Sequence, residues 1–279
     1  MSRLFPDELC ISLAPDQVVV ERRAVGVSLQ GFRTRPLERR ILRAFGTAGR
    51  DRYSGALQVM AATLADIDDR RHCRARVVLA NSLVRYLLVP QSNRLSPEDE
   101  AAVVRHCFQE VYGNAADQWE LRASPAPDVP VRIASGIERA LLDDLRGIVA
   151  TAGIRLDSIQ PRLMTVCNEH RRTLACQKAW LILVEPGNLC LGLVDQGSLV
   201  RVRGLRIDAR WASELPALLE REACLAELDE LPGDAFLWLR IGTTPNEPLA
   251  LPLRLHALQD SWPAEQQAAA AAHLAVVKA

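Results

Sequence analysis

This sequence predicts an α/β chain of two similarly built halves, with an extra element inserted in the first. Three observations lead there. A strand–turn–strand–turn–strand–helix–strand order near residue 8 recurs near residue 179 without sequence identity, which marks a structural repeat. Apolar residues switch between alternate spacing and three-to-four-residue spacing along the chain, so strands and helices interleave. The 279 residues are 49% hydrophobic and 24% charged, enough for one large domain or two modest ones with ordinary cores.

The first half opens on strands. Residues 8–14 are a short apolar run, Ala14-Pro15-Asp16-Gln17 is a turn, and 18–20 is β-branched; 25–32 reads as a third strand. A helix follows because Tyr53, Leu57, Met60, Leu64 and Ile67 form one apolar stripe. Strands are expected at 75–80 and 84–89, the second ended by Pro90. The next helix is the best marked. Ser96 caps it, Pro97 suits its first turn, and Glu98, Asp99 and Glu100 favour the positive end of its dipole. Val103, Val104, Cys107, Phe108 and Val111 form its expected buried face, and Gly113 ends it. Strands at 117–123 and 129–135 flank a proline-rich loop at 124–130. Residues 137–152 read as a helix closed by Gly153, 154–159 as a strand, and Pro161 opens a helix to about Leu174.

The opening pattern then returns. A strand at 179–184, the turn Glu185-Pro186-Gly187-Asn188, a strand at 189–194, the turn Asp195-Gln196-Gly197 and a strand at 198–207 form a second meander. A helix at 213–228 and strands at 236–241 and 251–255 follow. An alanine-rich helix capped by Ser261 is expected over 261–278. The expected division is a first subdomain at 1–175, with an inserted α/β element at about 75–135, and a second subdomain at 176–279.

Composition excludes several functions. Acidic and basic residues balance at 34 each, so no net field draws the chain to nucleic acid or to an anionic membrane. The cysteines at 10, 73, 107, 167, 176, 190 and 224 form no C-x-x-C and read as small buried hydrophobes in a reducing compartment. No basic stretch followed by an apolar core marks a signal peptide. The longest apolar run, 179–194, is broken by Glu185, Pro186 and Asn188 and is too short and polar to span a bilayer. The histidines at 72, 106, 170, 256 and 273 show no metal-site spacing. Neither G-x-S-x-G nor G-x-x-x-x-G-K-[ST] occurs. A two-metal nuclease is disfavoured because Glu8 and Glu21 lie only at the ends of the first strands. The expectation is a cytoplasmic protein that meets a membrane only through a partner, with no metal and no nucleic acid.

Four segments, in order, carry a family resemblance: ARVVLANSLVRYLLVPQSNRLSPEDEAAVVRHCFQEVYG, QWELRASP, VRIASGIERALLDDLRGIVATAGIRLDSIQPRLMTVCN and AWLILVEPGNLCLGLVDQGSLVRVRGLRI. The order resembles the pilus assembly protein PilM, its mannose-sensitive-pilus relatives and the cytoplasmic domain of the type II secretion protein GspL. It covers roughly residues 8–245. The resemblance implies an actin-like ATPase (ribonuclease-H-like) fold. It also implies a type IV pilus or type II secretion scaffold that binds the cytoplasmic peptide of a bitopic inner-membrane subunit, a PilN-like peptide, with an assembly ATPase as a further partner. Self-assembly into homo-oligomers is an alternative.

Actin-like ATPases hold phosphates with the turns of the two meanders, usually through Asp-x-Gly-[Ser/Thr]. Here the first turn, Ser12-Leu13-Ala14-Pro15-Asp16, has no glycine and no aspartate at the strand end, and Pro15 removes an N–H donor. The second keeps Glu185 and Gly187 but places Pro186 between them, and the adenosine region keeps Gly242 and Thr243. No cofactor and no catalysis are expected. The alternative is a nucleotide switch holding ATP and Mg²⁺ through Ser12, Asp16, Glu185, Gly187, Gly242 and Thr243. Candidate partner-binding residues are Arg85 and Tyr86, in the inserted element, and Arg201 and Arg203. The latter two alternate with Val200 and Val202, so that arginines take one strand face.

Overall fold

The computed structural model describes residues 5–28, 31–45, 52–91, 95–124, 130–175, 178–246, 249 and 251–258. In chain order these form β1 (Asp7–Ala14), β2 (Gln17–Ser28), β3 (Gly31–Arg43), α1 (Ser54–Ala65), β4 (Cys73–Leu79) and β5 (Arg85–Pro90). Next come α2 (Pro97–Tyr112), β6 (Trp119–Ala123), β7 (Val131–Glu138), α3 (Arg139–Thr151), β8 (Arg155–Pro161), α4 (Arg162–Glu169) and α5 (Arg171–Leu174). The remainder is β9 (Ala179–Glu185), β10 (Asn188–Asp195), β11 (Ser198–Arg206), α6 (Trp211–Leu225), β12 (Asp234–Leu239) and β13 (Arg254–Leu258). The helix expected over 261–278 and Cys176 lie outside the described residues.

Contacts divide the chain into two compact units. One is Met1–Val84, Gln118–Glu120 and Ile137–Thr165; the other is Arg85–Asp117, Leu121–Gly136 and Val166–Ala279. The first unit is built on a sheet of order β3-β2-β1-β4-β8. β1, β2 and β3 form an antiparallel meander, and β4 and β8 extend it in parallel. Leu9, Ile11 and Leu13 alternate into the core and are fully buried, each burial worth about 2 kcal/mol. The helical stripe read from sequence is the buried face of α1: Tyr53, Leu57, Met60, Leu64 and Ile67 are all buried. α1 packs against α3 and β2, and α3 against β8.

The second unit repeats this plan, with a sheet of order β11-β10-β9-β12-β13. β9 to β11 are the antiparallel meander, and β12 and β13 run parallel to β9. Every residue of β9 is buried, as a central strand covered on both faces requires. α6 contributes Trp211, Leu215 and Leu219 to one apolar cluster with Trp180, Ile182, Leu189, Leu191, Leu193 and Leu237. A separate sheet of order β5-β7-β6 completes this unit, with α2 and β11 against β5.

Three expectations shift. The inserted element begins at β5 and not at residue 75, because β4 pairs between β1 and β8 inside the first sheet; β5 and most of β6 and β7 group with the second unit. The third strand of the first meander is not 25–32, since β2 continues to Ser28 and pairs with β3 along its whole length. Val111 is 58% exposed, and α2 buries only Val104 and Phe108. Its caps are as read: the Ser96 hydroxyl accepts from the Asp99 N–H at 3.2 Å, and Gly113 follows with a φ of 61°.

β13 is held to β12 by charge as well as by backbone pairing. Asp234 Oδ1 lies 2.7 Å from His256 Nε2, and Arg254 donates to Oδ2 at 2.9 Å. The bond to His256, helped by Arg254, holds the Asp234 carboxyl below the usual carboxylate range. A carboxyl whose folded pKa is depressed adds stability that is present above its unfolded pKa and lost as pH falls through the folded one. Stability is therefore expected to decline below the ordinary carboxylate range more steeply in the natural protein than in Asp234→Asn, as acid-titrated thermal melts would show.

Candidate functional site

The strand-end turns of the two meanders come first. In the first unit, Ala14 pairs with Gln17, so Pro15 and Asp16 form a two-residue turn. Neither has a positive φ, the geometry that proline in the first central position favours. Pro15 offers no N–H, and the carbonyl of exposed Asp16 accepts from Ala44 at 2.9 Å.

Ser12 stands near the end of β1, half-buried. Its hydroxyl accepts a hydrogen bond from Arg162 Nη2 at 2.8 Å. Arg162 is the first residue of α4, directly after β8, and is 4% exposed. Beside it, the buried Asn81 that follows β4 accepts the Leu163 N–H at 3.1 Å through Oδ1, satisfying one of the orphan donors at the start of α4. The ends of the adjacent parallel strands β1, β4 and β8 thus meet in a polar cluster with a guanidinium inside it. A fixed positive charge here repels a divalent cation. Sequence reading missed Arg162. The signal available was a cation directly after Pro161 at the start of a helix, a place where the dipole disfavours it.

In the second unit, Glu185 pairs with Asn188, leaving Pro186 and Gly187 as the turn. Gly187 has a φ of 72°, and nothing lies within 4 Å of where its Cβ would be. The glycine therefore serves the turn, which needs positive φ after proline, and not a close approach. Glu185 is buried at 3% exposure. After β12, the Thr243 N–H bonds to the Arg240 carbonyl at 2.9 Å across Gly242, whose φ is 85°. Gly242 is again a turn glycine in open space.

The partner-facing candidates fall on two strands that touch within the second unit. Arg85 and Tyr86 open β5, both half-buried, and β5 lies against β11. Arg201 and Arg203 sit on β11 opposite Leu193 and Leu191, which belong to the cluster packed with α6. The arginine face of β11 is thus its α6 face. There Glu222 is fully buried, 3.7 Å from Arg201 Nε and 3.8 Å from Arg203 Nη1. Arg201 also donates to the Leu225 carbonyl at 2.9 Å. Before they offer anything to a partner, the two arginines tie an edge strand to its covering helix. Glu222 is a second residue that sequence reading missed.

Thiol chemistry has no place in either turn. Burial pushes the Cys10 thiol up to about 11 and Cys167 to about 12, so neither is a thiolate near neutrality. Cys73 and Cys190 are also buried, whereas Cys224 is exposed, against the reading of all cysteines as core. Among the described residues, no group of histidine, cysteine, aspartate and glutamate could hold a metal ion.

No protein-family model matches the chain, and no curated protein matches it in sequence. Solved structures do match in fold. A Bacteroides thetaiotaomicron protein with actin-like ATPase fold and unknown function superposes with a TM-score of 0.62 at 11% identity, covering 95% of this chain and 96% of that one. A chain of the PilM-PilN type IV pilus biogenesis complex gives 0.62 at 13% identity, over 99% and 97%. The cytoplasmic domain of EpsL, an inner membrane component of the type II secretion system of Vibrio cholerae, gives 0.58 at 11% identity, over 98% and 96%. With the same 3-2-1-4-5 strand order built twice, these likenesses establish that the chain has the actin-like ATPase, ribonuclease-H-like α/β fold.

Proposed function

We propose that this chain is a non-catalytic cytoplasmic scaffold of a type IV pilus or type II secretion-like assembly platform at the inner membrane. It binds the short cytoplasmic peptide of a bitopic membrane subunit and works beside an assembly ATPase. The observation that carries the non-catalytic part is the Arg162 guanidinium buried against Ser12. It puts a permanent cation at the strand ends where phosphoryl chemistry needs a metal held by carboxylate. Proline in both turns supports the same reading. The platform role is supported by the fold shared with the EpsL cytoplasmic domain and the PilM-PilN chain. Among the described residues no helix is long and apolar enough to cross a membrane.

The direct experiment is a calorimetric titration with the synthetic cytoplasmic peptide of the bitopic membrane protein encoded beside this gene. Saturable binding of one peptide per chain is expected, and it should survive removal of nucleotide. Failure of that peptide to bind at any concentration up to millimolar would remove the scaffold reading. One observation favours a second reading. Glu185 is a buried carboxylate at the end of β9, the placement a nucleotide-responsive switch would use.

A further inference from the structure

The outer strand of the first sheet is long, exposed and strongly basic. β3 runs for 13 residues and carries Arg33, Arg35, Arg39, Arg40 and Arg43 against a single acid, Glu38. It is an edge strand, and β2 is its only described strand neighbour. Residues 34–38, 41 and 43 are exposed, including Leu37 at 38% and Ile41 at 41%. Arg40 is already engaged by Glu38 and Asp66. Arg35 and Arg43 make no ion pair with a described residue and face solvent.

Natural sheets usually protect such an edge by keeping it short, bulged, charged or interrupted by proline. β3 has those devices in its first part. Arg23 pairs with Pro36 and Arg22 with Glu38, so Leu37 is an extra, bulged residue. Beyond the bulge, Glu38 to Arg43 pair in unbroken register with Gln17 to Arg22. That stretch is regular, and alternation places Arg39, Ile41 and Arg43 on one face. It offers a backbone ladder on its outer side, an apolar contact at Ile41 and an exposed cation at Arg43.

We propose that β3 is a docking strand, to which an extended acidic segment of a partner protein adds as a sixth strand of the first sheet. Main-chain pairing supplies the affinity and the alternating arginines the selectivity. The charge decides between occupants. A second copy of β3 would set arginine against arginine, which is unfavourable for facing cross-strand pairs; an acidic strand pairs with them. This proposal does not depend on the function proposed above.

Fluorescence anisotropy with a labelled peptide of alternating glutamate and valine tests it. A lysine–valine peptide and a single-stranded DNA oligonucleotide of equal length serve as comparisons. The acidic peptide is expected to bind and the lysine peptide not to. Arg35→Glu with Arg43→Glu should weaken binding by about tenfold or more while leaving the thermal melt unchanged, because both side chains are exposed. Backbone amide exchange should slow across 38–43 in the bound protein. The proposal is overturned if the double variant binds as well, if DNA binds as tightly as the peptide, if protection appears away from β3, or if no binding is seen. Light scattering that shows a dimer dissociated by the double variant would assign β3 to self-association and equally overturn it.

Discussion

Replacing Arg201 and Arg203 together by methionine should lower the unfolding free energy by about 3 kcal/mol, since it leaves a buried carboxylate with only the largely exposed Arg221 as a cation. Glu222 is fully buried and takes its compensation from these two arginines and from Arg221. The reverse substitution is expected to behave differently. Glu222→Met removes the buried charge and puts an apolar side chain of similar size beside Leu219 and Ala223, both in the second unit's core. The arginines left behind are partly exposed and can turn to water, and Arg201 keeps the Leu225 carbonyl. Such replacements are often neutral or stabilising. Urea midpoints at constant m-value would read the asymmetry. Equal losses in both variants would mean that the cluster acts by packing and not by charge compensation. Because the arginines are structural on this face, a partner-binding role for them has to be tested in variants whose melts are unchanged.

The second large effect is at Arg162. Arg162→Met removes a charge-assisted hydrogen bond at a buried site and should cost about 2 kcal/mol. Adding Ser12→Ala to that variant should cost little more, because the hydroxyl has already lost its partner; the two substitutions are coupled and not additive. A double-mutant cycle on thermal or urea unfolding measures the coupling. Additive losses would show that the Ser12–Arg162 bond contributes nothing to the cluster.

Much of the fold was legible because local signals and tertiary roles agree. β9 and β10 are apolar runs separated by Pro186-Gly187, and they pair across that turn. α2 has its serine cap, its proline and its closing glycine in one short window. β3 was not legible. Its sequence, GFRTRPLERRILR, has the arginines and proline of a loop, and only the edge position lets a strand of that composition stand in water. The length of the β2–β3 hairpin was hidden for the same reason.

The site divides along similar lines. The erosion of the turns could be read directly, since Pro15 and Pro186 remove donors whatever surrounds them. Arg162 could not, because its partner lies 150 residues away in sequence. Nor could Glu222, which reads as one more polar residue in the helix around Arg221 until β11 brings Arg201 and Arg203 beside it. Glycines misled in the other direction. Gly187 and Gly242 look like remnants of phosphate loops, and both satisfy turns that need positive φ.

Calorimetric titration with Mg-ATP is the most direct measurement of whether these strand ends have given up nucleotide chemistry. No saturable heat is expected into the millimolar range, either in the natural protein or in Glu185→Ala. Sub-millimolar binding that disappears in Glu185→Ala would contradict the account and make the buried carboxylate at the end of β9 part of a working nucleotide site.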